Sequence, residues 1–155
     1  MDFCDALSGA TAIAFDTEFV SEDSYQPHLC LVQVSAAGRL AVIDAIAIKD
    51  MTPFWDRLAA GAHQTIVHAG RQELCFSLHA IGKRPHRLFD IQVAAGMVGL
   101  EYPAAYGTLV AKLLGKTLGK GETRTDWRRR PLTGRQIDYA LQDVVYLEKI
   151  RDMLM

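Results

Sequence analysis

The fold class this sequence predicts is α/β: a single domain over residues 1–155, with a mixed, mostly five-stranded sheet covered by helices on both faces. Three observations predict it. The run Thr11–Phe15 (TAIAF) is apolar, too short for a buried helix, and suited to a central strand. Two further strand-like runs, Cys30–Ser35 and Leu40–Ile43, are joined by AAGR, a connection short enough for an antiparallel hairpin. Beyond them, strand and helix patterns alternate, as in sheets whose later strands run parallel.

Taken in order, Phe3–Leu7 reads as a short helix ahead of the first strand. Pro53–Ala60 then reads as a helix, Thr65–His68 as a strand and Arg71–Ile81 as a helix. Arg87–Phe89 reads as a short strand leading into a helix after Asp90, which is placed to cap it. A helix at Leu109–Leu114 precedes a polar, basic loop that extends through Arg130. One long helix is expected from Gly134 to Leu154. Thr133 and Gln136 form a capping box at its start, and Ile137, Ala140, Leu141, Val144 and Leu147 form an apolar stripe along it.

Composition narrows the classes. Hydrophobic residues make up 50% of the 155, with 12 Gly and 5 Pro, which excludes disorder and collagen-like repeats. The apolar runs are a handful of residues long, so no membrane span is expected. Met1 is followed by Asp2 and Asp5 rather than a basic stretch and an apolar core, so no secretory leader is expected. Three cysteines without a C-x-x-C pair fit a reduced, cytoplasmic setting. The five histidines lack zinc-ligand spacing. Formal net charge is −1, but it is unevenly laid out. Residues 1–56 are acidic apart from Arg39 and Lys49. Residues 112–135 are basic apart from Glu122 and Asp126. Either two solvated faces or an acidic metal site beside an anion-holding surface would give this pattern.

Four carboxylates carry the chemical signal. Asp16 and Glu18, two apart at the end of the first strand, share a face, and like charges so placed repel unless a cation sits between them. Glu73 opens the helix that follows the His68-Ala69-Gly70 turn. Tyr139 and Asp143 stand one turn apart on the last helix, facing the same way. Each feature alone has a bland reading: soluble strand-end acids, a helix-start acid, an exposed i,i+4 pair. An oxygen-only set, in conjunction, suits Mg²⁺ or Mn²⁺. The stretch LLGKTLGKGET does not meet the phosphate-loop pattern, and no Gly-rich dinucleotide fingerprint is present, so no nucleotide cofactor is expected.

The strings AFDTEF, VHAGRQEL, LFDIQ, KGETRTDW and YALQDVVYL, in this order over nearly the whole chain, resemble the ribonuclease D family. That family is a branch of the DEDD 3′–5′ exonucleases with Tyr in its last motif. The sister branch carries His five positions before the last Asp, where this chain has Asp138. The resemblance implies an RNase H-like three-layer fold and a metal-dependent 3′–5′ exoribonuclease that trims tRNA and other stable RNA, releasing nucleoside monophosphates. It implies two Mg²⁺ or Mn²⁺ ions, with Asp16 bridging both, Glu18 and Asp143 on the nucleophile side and Glu73 on the other. Tyr139 would orient the attacking water. Thr17 and Phe19 would flank the terminal nucleotide, His68 and Lys120 would contact phosphate or sugar, and the basic loop would follow a single-stranded RNA 3′ end. Two departures stand out: the family has Asp where this chain has Glu73, and ribonuclease D usually continues into helical HRDC domains, so an isolated catalytic domain is expected here. A DNA 3′–5′ exonuclease of proofreading type, or a nuclease-impaired nucleic-acid-binding domain, are the competing readings.

Overall fold

The computed structural model describes residues 5, 7–22, 25–119, 121 and 125–155. Strands β1 (Ala12–Val20), β2 (His28–Ala36) and β3 (Arg39–Asp44) come first. Helix α1 (Thr52–Ala60), β4 (Gln64–Val67), α2 (Arg71–Ile81), β5 (Leu88–Asp90) and α3 (Ile91–Met97) follow. The chain closes with α4 (Tyr106–Leu114), α5 (Gly134–Val145) and α6 (Leu147–Leu154). The sheet order is β3-β2-β1-β4-β5, antiparallel on the β2 side of β1 and parallel on the β4 side. This is the mixed five-stranded sheet expected. The helix expected at Phe3–Leu7 falls largely on residues outside those described.

β1 is the centre of the molecule, and the alternation of its side chains divides the core. Ala12 and Ala14 face a layer built from Ile66, Ile91, Leu109, Val110, Val144, Leu147 and Ile150. Ile13 and Phe15 face the opposite layer, where Phe54, Trp55 and Leu58 of α1 cover Val32 and Val34 of β2. Phe15 meets both Phe54 and Trp55 edge to face at 5.9 Å. Burying each such aromatic is worth about 2–3 kcal/mol.

Two elements differ from expectation. β1 continues five residues past Phe15, because backbone pairing with β2 carries Asp16, Thr17 and Glu18 along although they break the apolar pattern. A bulge in that pairing sets Glu18 opposite Leu31 and Phe19 opposite Leu29, leaving Cys30 without a partner across the ladder. The Cys30 carbonyl instead accepts from the Ala45 amide and the Arg130 guanidinium.

The single helix expected over 134–154 is two helices, broken at Tyr146. The cause is Tyr106. Its hydroxyl donates to the Gln142 carbonyl at 2.8 Å and accepts from the Tyr146 amide at 3.3 Å. A side chain inserted into that i→i−4 bond bends the helix there. The capping box at Thr133 and Gln136 forms as expected, with both reciprocal bonds present.

Candidate active site

The carboxyl ends of β1 and β4, the first turn of α2 and the middle of α5 meet at one edge of the sheet. Asp16 and Glu18 lie on the face of β1 that α5 covers. α5 presents Tyr139 and Asp143 toward them, since the two acids and these side chains perturb one another's ionisation. Glu73 arrives from the other layer, buried to 4% exposure, and accepts a 2.5 Å hydrogen bond from the Thr17 hydroxyl. The four acids singled out in the sequence therefore converge on one region.

Their electrostatics are those of an uncompensated acidic cluster. Burial, then the charges of Glu73, Asp143 and Glu18, push Asp16 well above the ordinary carboxylate range. Burial and the Asp143 charge raise Glu18 to about 8, although a 3.3 Å bond from the Gln33 amide pulls the other way. Burial raises Asp143 to about 6, against a contact from the Tyr139 hydroxyl that lowers it. Burial also raises Glu73. Tyr139 is pushed up from its ordinary value of 10.0 by burial and by the neighbouring acids, so its hydroxyl stays protonated at neutral pH.

These residues fit a divalent cation by chemistry. The donors are all oxygen, and among the described residues no lysine or arginine forms an ion pair with any of them. Gln33, fully buried opposite Asp16 on β2, leaves its Oε1 without a hydrogen-bond partner beside this set. Among the described residues no three such side chains already close on one ion-sized point. Glu73 turns toward Thr17 and Glu18 toward Gln33, so closure on a cation requires side-chain rotation.

The remaining sequence candidates fall into three situations. Thr17 is buried, and its hydroxyl is occupied by Glu73. Phe19 packs edge to face on Phe76 at 5.7 Å and lines a 540 Å³ cleft with Glu18, Val20, Thr125 and Trp127. The His68 Nε2 donates to the Ala104 carbonyl at 2.8 Å, and its ring leans on Tyr106. Lys120 lies outside the described residues. Among the described residues, four cations of the basic segment have these partners: Lys112 with Glu101, Lys116 over the Tyr146 ring, Arg128 with Asp126 and Arg130 with Asp44.

Three residues that position the site, Trp127, Arg130 and Gln33, are not among the sequence candidates. Trp127, 2% exposed, stacks on Tyr139 with centroids 6.1 Å apart. Arg130 holds the segment that carries Trp127. It grips the Asp44 carboxylate through two 2.7 Å bonds and also donates to the Trp127 carbonyl. That grip holds Asp44 at about 2, well below the usual carboxylate range. Gln33 was legible in principle, as one amide in the otherwise apolar run CLVQV.

Asp90 caps α3 as expected and does more. Its Oδ1 accepts from the Gln92 and Ala69 amides, and its Oδ2 accepts from Gly70. It thereby fixes the turn that aims α2 and Glu73, in which Ala69 has φ +52. At Gly70 a Cβ would come within 2.3 Å of Val67, so the turn also requires glycine. Asp90→Ala strands these amides and is expected to cost about 2–3 kcal/mol, a fall of roughly 5–10 °C in Tm, read by thermal melting. A melt that coincides with the parent's would show that the turn does not depend on Asp90.

The whole chain, residues 1–155, matches the 3′–5′ exonuclease domain family. It is 44% identical to ribonuclease D of Zymomonas mobilis subsp. mobilis over 154 residues, covering 98% of this chain and 40% of that protein. It is 40% identical to ribonuclease D of Escherichia coli strain K12, with coverage of 98% and 40%. The crystal structure of Escherichia coli RNase D, described as an exoribonuclease involved in structured RNA processing, superposes with a TM-score of 0.92 at 39% identity. That match covers 99% of this chain and 41% of that one. Brucella melitensis NrnC with bound Mg²⁺ superposes with a TM-score of 0.80 at 26% identity, covering 96% of this chain and 73% of that one. The chain thus spans about two fifths of the length of the curated relatives it matches. The fold is the RNase H-like fold of these exonucleases.

Proposed function

We propose that this chain, a member of the 3′–5′ exonuclease domain family that is similar over 98% of its own length to part of ribonuclease D, hydrolyses phosphodiester bonds from the 3′ end of RNA. The products are nucleoside monophosphates, and the natural substrates are structured RNA precursors such as tRNA. The observation that carries the reading is the convergence of Asp16, Glu18, Glu73 and Asp143, whose raised pKa values mark a charge cluster built for cations.

Exonucleases of this type depend on divalent metal. Asp16, Glu18 and Asp143 would hold one Mg²⁺ or Mn²⁺ ion, and Asp16 with Glu73 a second. Ions so held supply an activated water on one side of the phosphorus and stabilisation of the leaving oxyanion on the other. The chain's own residues do the positioning. The Tyr139 hydroxyl, kept protonated by its surroundings and kept in place by the Trp127 ring, orients the attacking water rather than taking its proton. The cleft beside Glu18 and Phe19 has room for the terminal nucleotide.

A 5′-labelled single-stranded oligoribonucleotide incubated with Mg²⁺ or Mn²⁺ is expected to shorten one nucleotide at a time from its 3′ end, releasing mononucleotides. EDTA is expected to stop it. Shortening that survives EDTA, or internal cuts, would overturn the reading. A matched deoxyoligonucleotide run in parallel reports the DNA alternative.

A further inference from the structure

At the opposite edge of the sheet lies a feature that the exonuclease reading does not use. The run Lys83-Arg84-Pro85-His86-Arg87 connects α2 to β5, with Lys83, Arg84 and Arg87 exposed. Its backbone is pinned: the His86 amide donates to Leu58 at 2.8 Å, and the His86 carbonyl accepts from Thr65. Arg87 is held at φ +46, a conformation costly for a residue with a Cβ. Beside it is a 360 Å³ cavity lined by Arg57, His63 and Arg87 together with Gly9, Thr11, Gly61 and their neighbours. Among the described residues no carboxylate lines it. Neither Arg57 nor Arg87 has an ion-pair or hydrogen-bond partner among the described residues, in contrast to the partnered cations of the 112–135 segment. A Cβ on Gly61 would come within 2.1 Å of the His63 ring, so glycine there lets the imidazole form the cavity's buried wall.

We infer that this cavity, with Arg57 and Arg87 as its two free guanidiniums, is a second phosphate-binding site that takes a phosphodiester of a polynucleotide strand. Two arginines that line one cavity, with no carboxylate beside them among the described residues, are the chemistry that recognises phosphate oxygens in pairs. Burial, then the charges of His86 and Arg57, lower the His63 pKa, so the ring is a neutral part of the cavity wall at pH 7. His63 and His68 bracket β4, so the site stands about 16 Å of strand from the catalytic edge. A strand engaged at both edges would be gripped away from its cleaved end. The proposal rests on the exonuclease reading only for the identity of the polymer.

The test separates the two. Binding of a 5′-fluorescein-labelled single-stranded RNA of about 20 nucleotides is followed by anisotropy in EDTA across a salt series, so no hydrolysis is involved. The Arg57→Gln/Arg87→Gln double variant is compared with the parent and with Arg39→Gln/Lys49→Gln, a control of equal charge change elsewhere. The site variant is expected to bind about tenfold more weakly, with a log–log salt slope shallower by about 1.4, as for two lost single-strand phosphate contacts. The control is expected to stay within about twofold. Equal effects in the two variants, or no change of slope, would overturn the proposal whatever the hydrolysis assay shows. Saturable shifts of the Gly61, His63 and Arg87 amides with inorganic phosphate, with the RNA slope unchanged, would assign the cavity to a free phosphate and overturn the strand assignment. Should the double variant fail to fold, the exposed single variant Arg87→Gln is expected to show half the slope change.

Discussion

Asp16→Asn is expected to lower 3′-end hydrolysis by about 10³-fold or more while leaving the fold intact. Asp16 sits at the point where the other three acids are felt together, and no other carboxylate has all of them among its perturbing charges. Asparagine keeps the shape and removes the charge, so any loss reports on cation holding rather than on packing. The variant is expected to melt no lower than the parent, because a buried carboxylate in a like-charged cluster destabilises the protein when no cation is bound. Unchanged turnover would eliminate the metal-dependent mechanism at this site.

Glu73 carries the second large effect. Glu73→Gln is expected to cut the rate by about 10²-fold and Glu73→Asp by less than about tenfold. Glutamine can still accept the Thr17 hydroxyl, so the local structure survives and only the charge is lost. Aspartate keeps the charge and gives up reach, which raises the metal concentration needed for half-maximal rate more than it lowers the maximal rate. Steady-state rates over a Mn²⁺ titration distinguish these outcomes. Small and equal effects would reduce Glu73 to an acid that favours the start of α2.

The fold was legible where side-chain periodicity reports burial directly. TAIAF marked β1, the Thr133–Gln136 box marked the start of α5, and Arg71–Ile81 marked α2 with both ends correct. Legibility failed where a distant residue decides. Nothing near Tyr146 announces a helix break, because the hydroxyl that causes it belongs to Tyr106, forty positions away. The extent of β1 was underestimated for a related reason: its last residues are polar for chemistry and extended because β2 pairs with them.

At the site, the conjunction of four carboxylates with Tyr139, in strings that resemble one family, brings out the acids, although each alone has a bland reading. The residues that aim them were hidden. Asp90 bonds backbone amides rather than side chains, Trp127 stacks through a ring in a loop of mixed polarity, and Arg130 reaches Asp44 from 86 positions away. The basic segment is legible as a run of charge but not in its local pairing. Its charges are conspicuous in sequence, yet Lys112 and Arg130 pair with Glu101 and Asp44, partners that lie outside the segment.

The Tyr106 hydroxyl makes the path of the last two helices a choice between two closures. With the hydroxyl present, the Gln142 carbonyl and the Tyr146 amide each bond to it, and the chain turns there. With phenylalanine at 106, the Gln142 carbonyl and the Tyr146 amide lose that shared partner, and resuming the ordinary helical bond between them would straighten the rod and shift Leu147 and Ile150 in the core they occupy. One oxygen atom thus ties the start of α4 to the bearing of the helix that carries Asp143.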